Sequence, residues 1–304
     1  MPISAAQFVH WFRDSSPYIF AHRNKTFVIF FGGEAVLNDC STLIHDFALL
    51  KSLGIRLVLV YGIRPQIDSR LQQLNLEPCF KNHCRITDPV ALQCAKEAAG
   101  TVRVEIEALL SMGLSNSPMA GAKIKVASGH FVIAKPMGII DGLDYQHTGK
   151  VRRIEHSAIS QLLDQDNVVL ISPIGYSPSG EIFNLVAEQV ATEVAIALQA
   201  DKLILLTEQS CLKNNQLIAQ MTVDEVIEYQ QTISQKVMVN SLQAAIQCCQ
   251  SGVSRVHLIN RHIDGALLLE LFTRDGRGTL ISSNPYEKIR SASLNDIAGI
   301  LELI

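Results

Sequence analysis

Apolar positions along the chain follow two alternating periods. Short continuous runs rich in β-branched residues, bounded by glycine, proline or charge, lie at 25–31, 56–61, 168–172, 202–207 and 255–259, the pattern of strands buried on both faces. Between them, apolar residues recur at helical spacing over 40–53, 65–74, 89–110, 155–163, 188–199 and 236–250, which predicts amphipathic helices. Strands alternating with helices of this length need crossover connections, and so predict an α/β fold with a mainly parallel sheet sandwiched by helices. Residues 124–153 break the rhythm, with strand-like runs at 130–134 and 150–154 between glycine-bearing turns. That stretch predicts a hairpin flap over one edge of the sheet. Ahead of the first strand, residues 3–12 carry Ala6, Val9 and the single tryptophan, Trp11, and Asp14-Ser15-Ser16-Pro17 is expected to end this helix. Such a helix has little of its own to pack on, which suits subunit contact or closure of a site, the alternative being plain docking on its own domain. At the far end, 288–292 predicts a strand, and Asn295-Asp296 starts a helix with Ile297, Ile300, Leu301 and Ile304 on one face.

Composition narrows the functional classes. With 304 residues, 48% of them hydrophobic, the chain can bury a large core and is not intrinsically disordered. A net charge of -3, from 26 basic and 29 acidic side chains with no basic block, removes the broad electrostatic drive for nucleic-acid binding. The longest apolar stretches, at 26–31 and 57–61, are far short of a membrane span. Residues 1–12 lack a basic n-region and a small-residue cleavage site, so no secretory signal is read and a cytoplasmic location is expected. Seven cysteines, Cys40, Cys79, Cys84, Cys94, Cys211, Cys248 and Cys249, form no C-x-x-C pair and fit a reducing compartment. His83 beside Cys84 has no second pair at ligand spacing, so no metal is expected.

Candidate chemistry sits in the loops. The first strand runs into Gly32-Gly33 and the second into Gly62-Ile63-Arg64-Pro65. Both loops belong at the carboxyl ends of parallel strands, where α/β sheets bind ligands through close backbone approach and helix N-termini. Tight turns without any ligand would need the same glycines.

Those loops in this order, followed by Arg85-Ile86-Thr87-Asp88 and by Phe183-Asn184 before a helix, resemble the amino acid kinase family, in its acetylglutamate kinase branch. The resemblance implies the amino acid kinase (carbamate kinase-like) fold. It also implies a lysine two residues upstream of the first glycine loop, where this chain has Phe30, and a second phosphate-binding lysine where the alignment places Ser241. An aspartate expected soon after Asn184 is replaced by Glu188, and Gly62-Ile63-Arg64 stands where the kinases carry a glycine run. Phosphoryl transfer is mostly positioning and charge stabilisation, and each missing charged contact is worth about 1.5–3 kcal/mol. Kinase activity is therefore not expected, with Lys236 in the same helix the one partial substitute. Gly32, Gly33, Gly62, Arg85 and Asn184 then mark a vestigial kinase cleft. In the kinases the Arg85 position holds the carboxylate of acetylglutamate; here a structural role, capping a loop or pairing with Asp88, is the favoured alternative.

A more specific similarity runs collinearly from about Phe12 to Ile304. Phe12-Arg13, Ser16-Pro17-Tyr18-Ile19, His22-Arg23, residues 25–29 with Gly32-Gly33-Glu34-Ala35, Tyr61-Gly62-Ile63-Arg64-Pro65-Gln66-Ile67-Asp68, Phe183-Asn184-Leu185 and the run from Asp264 through Glu270-Leu271-Phe272 to Arg274-Asp275-Gly276 resemble the bacterial N-acetylglutamate synthase family. Its members join an amino-acid-kinase-like domain, which binds arginine as feedback inhibitor, to a C-terminal acetyltransferase domain that makes N-acetylglutamate from acetyl-CoA and glutamate, for arginine biosynthesis.

By this resemblance, His257, Glu270 and Gly276 belong to an arginine site completed by the N-terminal helix near Trp11 and Tyr18. A carboxylate can accept two parallel bonds from a guanidinium, while loop amides can hold an amino acid's carboxylate. A core histidine and a solvated helix glutamate are the alternative. The implied division is an N-terminal helix segment at 1–20, an arginine-binding kinase-like domain at 21–286, and a stub at 287–304 resembling the start of an acetyltransferase domain. No catalytic residue and no cofactor are expected in this chain, acetyl-CoA being the substrate of the missing domain. Expected partners are L-arginine as allosteric ligand, an acetyltransferase domain in cis or in trans, and further copies of the chain, since related proteins form hexamers with interlaced N-terminal helices. An acetylglutamate kinase with an altered phosphate site and a stand-alone arginine sensor remain the alternatives.

Overall fold

All five runs expected to be buried strands form strands in the computed structural model, which describes residues 4–37, 40–113, 119–232 and 238–283. They make the centre of an eight-stranded sheet in the order Gln220–Thr222, Thr279–Ser282, Val256–Asn260, Lys202–Thr207, Thr26–Phe31, Arg56–Tyr61, Val168–Ile171, Val126–Ser128. Pairing is parallel from Val256–Asn260 through to Val126–Ser128, whereas Thr279–Ser282 runs antiparallel to its inner neighbour. Because side chains alternate along a strand, each continuous apolar run feeds two cores. Val28, Phe30, Val58, Val60, Leu203 and Leu205 meet the helices Ala187–Ala197 and Val239–Gln250 on one face. Phe27, Ile29, Phe31, Leu57, Leu59 and Tyr61 meet Ser41–Ser52, Pro89–Leu110 and Ala266–Phe272 on the other.

Two expectations need correction. The N-terminal helix does not stop at Asp14-Ser15-Ser16-Pro17 but spans Ala5–His22 with Pro17 inside it. Proline removes one donor, so its local cost is the bond to a single carbonyl and a ring clash. Several contacts offset that cost: a capping box of Ser4 and Gln7, the Ser15 hydroxyl bonded to the Trp11 carbonyl at 3.0 Å, and the docked last turn, where buried His22 donates through Nε2 to the Leu271 carbonyl at 2.8 Å. The stretch 124–153 is also not a flap. Val132–Pro136 and Gly149–Ile154 do form a hairpin, but they join Ile174–Tyr176 and Ile182–Asn184 in a separate four-stranded sheet. Phe131, Val132, Ala134 and Ile154 are buried in the same core as Val190 and Val194, so this sheet is part of the body of the fold. The expected start of the helix at 236, with Lys236, and the terminal stretch at 287–304 lie outside the described residues.

Among the described residues no helix is long and apolar enough to cross a membrane, and no group of three or more histidine, cysteine or acidic side chains is placed to hold a metal.

Candidate functional site

Two sites lie at opposite ends of the parallel strands. At the carboxyl ends, a cavity of about 160 Å³ is lined by Phe30, Gly32, Gly33, Gly62, Arg64, Phe80, Arg85, Asn184, Glu188 and Ser241, among others. The two glycine loops press on each other here. A Cβ on Gly62 would lie 2.9 Å from the Gly33 amide nitrogen, closer than real side chains come, and Gln66 Nε2 ties the loops by donating to the Gly33 carbonyl at 2.8 Å. The glycines therefore answer to loop-to-loop packing whether or not a ligand enters.

Arg85 is buried and its guanidinium pairs with Asp68, not Asp88. Asp88 is engaged elsewhere, capping the helix Pro89–Leu110 by accepting from Ala91 N at 2.7 Å. Arg85 and Arg64 lie 4.5 and 4.3 Å from the centre of the Phe80 ring, near enough for cation–π attraction. Beneath them, Thr148 Oγ1 accepts from Thr87 N at 3.0 Å and lies 2.5 Å from the Arg85 carbonyl, while Asn184 Nδ2 donates to Thr87 Oγ1 at 3.2 Å. Asn184 is thus part of a buried hydroxyl network under the cleft. Phe30 and Ser241 both line the cavity and both are buried, so a ring and a neutral hydroxyl stand at the two positions where the resemblance to the kinases implies lysine. Burial raises the Glu188 carboxyl above the ordinary carboxylate range.

At the amino ends of the strands, His257, Glu270 and Gly276 come together. His257 Nδ1 lies 2.7 Å from Glu270 Oε1, both side chains being almost fully buried. Glu270 Oε2 accepts from the backbone amides of Arg277 at 2.8 Å and Gly278 at 2.7 Å. Gly276 turns the loop at φ +60, a left-handed conformation in which an added Cβ would collide with the Glu270 carboxylate. Burial lowers the His257 pKa and by itself would raise that of Glu270, but bonds from His257 and from the Gly278 and Arg277 amides outweigh it and hold the carboxyl below its usual value. Burial of the ring and the Nδ1–Oε1 spacing fit a neutral imidazole that donates to the carboxylate.

Three groups that the sequence did not single out complete this end. Lys202, buried, places Nζ 3.2 Å from His257 Nε2. Its ammonium also lies 5.8 Å from the Phe27 ring centre. His22 rests edge-on against Phe27 and Phe272. A lysine opening the apolar run 202–207 was the one visible sign of a buried charge; nothing in the spacing tied it to His257. The loop amides expected to hold a ligand carboxylate are bonded to Glu270 itself. Tyr18 packs at the margin of the core that contains Phe272. Trp11 is 46% exposed and, at 1.5 Å per residue, sits about 16 Å up the helix from His22.

The pattern of the amino acid kinase family matches residues 25–260. The chain is 46% identical over 301 residues to the amino-acid acetyltransferase of Pseudomonas syringae pv. tomato, covering 98% of this chain and 70% of that protein. Among solved structures it is similar to N-acetylglutamate synthase from Neisseria gonorrhoeae complexed with coenzyme A and L-arginine, with a TM-score of 0.86 and 35% identity, covering 98% of this chain and 70% of that one. Carbamate kinase from Giardia lamblia bound to AMP-PNP shares the fold, with a TM-score of 0.64 at 15% identity over 86% of this chain and 99% of that one.

Proposed function

We propose, from the premise that the chain belongs to the amino-acid acetyltransferase family and carries its amino acid kinase fold, that it is an arginine-binding regulatory domain without kinase activity. The observation that carries this reading is the buried Glu270 carboxylate, held ionised by His257 and by the amides of a loop that Gly276 turns. An ionised, buried carboxylate held by hydrogen bonds is matched by a guanidinium, which can bind it with two parallel bonds. Entry of arginine would exchange partners. The guanidinium takes Glu270 Oε2 from the loop, and the freed amides of Arg277 and Gly278 turn to the ligand's α-carboxylate. Two arrangements of loop 273–278 follow, closed on Glu270 or opened onto the ligand, and a ligand that binds only one of them shifts the balance. Tyr18, beside the helix end that touches Leu271, borders the site; Trp11 belongs instead to a surface that joins copies of the chain. An acetyltransferase domain, in cis or in trans, is the target of the signal, and acetyl-CoA is that domain's substrate.

The cleft at the carboxyl ends is vestigial on this reading. Phe30 and Ser241 remove both lysine charges, and with each charged contact worth about 1.5–3 kcal/mol the chain lacks two of the contacts by which a transferred phosphoryl group would be stabilised. ATP turnover with N-acetylglutamate that disappears on Lys236→Ala would restore the kinase reading.

The test is the melting temperature of the chain with and without L-arginine, since a ligand that binds the native state alone raises it. The expected result is a rise at millimolar arginine that is lost in Glu270→Gln and absent with L-lysine. No rise, or an equal rise in Glu270→Gln, overturns the site.

A further inference from the structure

Two guanidinium groups line the cleft at the carboxyl ends of the strands, and their donors are not all satisfied. Arg85 is buried, with Nη2 on Asp68, but its Nη1 is buried with no hydrogen-bond partner, a costly state for a charged donor. Arg64 is exposed at the rim and rests on the same Phe80 ring; among the described residues it has no ion-pair partner. It also opens the helix Arg64–Gln73, whose N-cap, Ile63, offers no side-chain bond. A helix N-terminus favours an anion, and a guanidinium placed there adds to that preference. The acids of the cleft answer this charge poorly. Burial pushes Glu188, which senses Arg64, towards its neutral form. Glu208 is engaged by Arg261 and His262, and the Glu34 carboxylate lies against Gly32.

The wall behind these donors has little polarity to spare. Asn184 donates to Thr87, and Thr148 is shared between the Thr87 amide and the Arg85 carbonyl. Much of what remains is carbon, from Phe30, Ile67, Pro173, Leu185 and Leu206. A ligand with polar groups along its body would leave them unpaired here, at a cost that an apolar body avoids. With a ring at position 30 and a neutral hydroxyl at 241, a phosphate finds fewer charges than a single carboxylate needs. We propose that this cleft binds a small monocarboxylic acid with an apolar body, its carboxylate on Arg64 and Arg85 Nη1 and its hydrocarbon part over Phe30 and Leu206. The site lies at the opposite end of the strands from Glu270 and does not depend on the arginine reading.

Calorimetric titration of the full chain with isocaproate, N-acetyl-L-glutamate, inorganic phosphate and ATP tests this, with intermolecular NOEs to locate the acid. Wild type is expected to bind isocaproate, with contacts from its methyl groups to the Phe30 and Phe80 rings, and to bind the other three more weakly or not at all. Arg64→Gln, a change at an exposed position, is expected to lower the affinity for isocaproate about tenfold or more, the usual effect of removing a charged hydrogen-bond partner. If that variant does not fold, the wild-type NOEs and the order of the four ligands decide. No binding of isocaproate, equal binding by Arg64→Gln, or methyl contacts elsewhere on the protein overturns the proposal. Tighter binding of N-acetyl-L-glutamate overturns the apolar body, and tighter binding of phosphate or ATP overturns the choice of a carboxylate. A melting temperature that L-arginine leaves unchanged would overturn the effector reading and leave this site standing.

Discussion

On the proposed reading, Glu270 is a side chain that is fully engaged and yet changes partners when arginine enters. Its carboxylate collects an imidazole hydrogen and two backbone amides, close to the limit of about four lone-pair sites. Truncation to alanine strands all three donors in a buried setting, and chemical denaturation should show a loss of about 3 kcal/mol or more. Glu270→Gln keeps an acceptor in place and should cost clearly less. His22 carries a second measurable signature. Burial lowers its pKa from 6.5 to about 4, so between these values the unfolded chain binds the proton and the folded chain does not. Stability therefore falls on acidification from pH 6.5 to 4, by up to about 3 kcal/mol. His22→Gln, which can still donate to the Leu271 carbonyl, should melt with a shallower pH dependence over that window; an unchanged slope would show that His22 is not the group responsible. At this scale the sequence was partly legible. His257, Glu270 and Gly276 stood out by family spacing, but Lys202 and His22 did not, because their roles exist only once strand and helix register bring distant residues together.

Helices and strands were readable in proportion to their length. Runs such as 26–31 and 202–207 and the helix predicted at 89–110 appear within a residue or so of their expected bounds, because each carries a full hydrophobic period. The two- and three-residue strands of the smaller sheets carry none, so Ile174–Tyr176 and Ile182–Asn184 have no signature in the sequence and the hairpin at 132–154 reads there as a flap. Pro17 misled in another way: it is a local breaker overruled by contacts made at the far end of its helix. That helix also leaves Phe8, Val9, Trp11, Phe12 and Phe20 exposed, with Phe8 and Phe12 stacked at 6.2 Å between ring centroids. Each such side chain gains about 1.5–3 kcal/mol when buried. We therefore expect self-association through this face, with Phe8→Ser/Phe12→Ser dropping the sedimentation mass to a smaller assembly while the protomer's melting temperature in the dissociated state stays nearly constant. An unchanged mass would assign the stripe to another role.

Across the whole molecule the two sites are separated by the length of the strands. The strand Lys202–Thr207 begins beside His257 and ends where Thr207 lines the cleft, a span of about 17 Å at 3.3 Å per residue. The route outward from the proposed arginine site does not use that strand alone. Glu270 lies on the helix Ala266–Phe272, whose Leu271 carbonyl accepts from His22 at the end of the N-terminal helix. A change of partners at Glu270 therefore has a direct contact through which to reach an 18-residue lever, and a lever with an apolar face can carry the change to another copy or domain. Allostery demands that the two arrangements differ in what they hold, and hydrogen exchange can see that difference. Arginine should slow exchange in loop 273–278 and in the last turns of the N-terminal helix together. His22→Gln, which keeps the donor but loses both ring contacts, should leave the loop effect intact and weaken the helix effect. If protection stayed within the loop in the wild-type chain, the His22–Leu271 contact would be a structural tie and not the path of the signal.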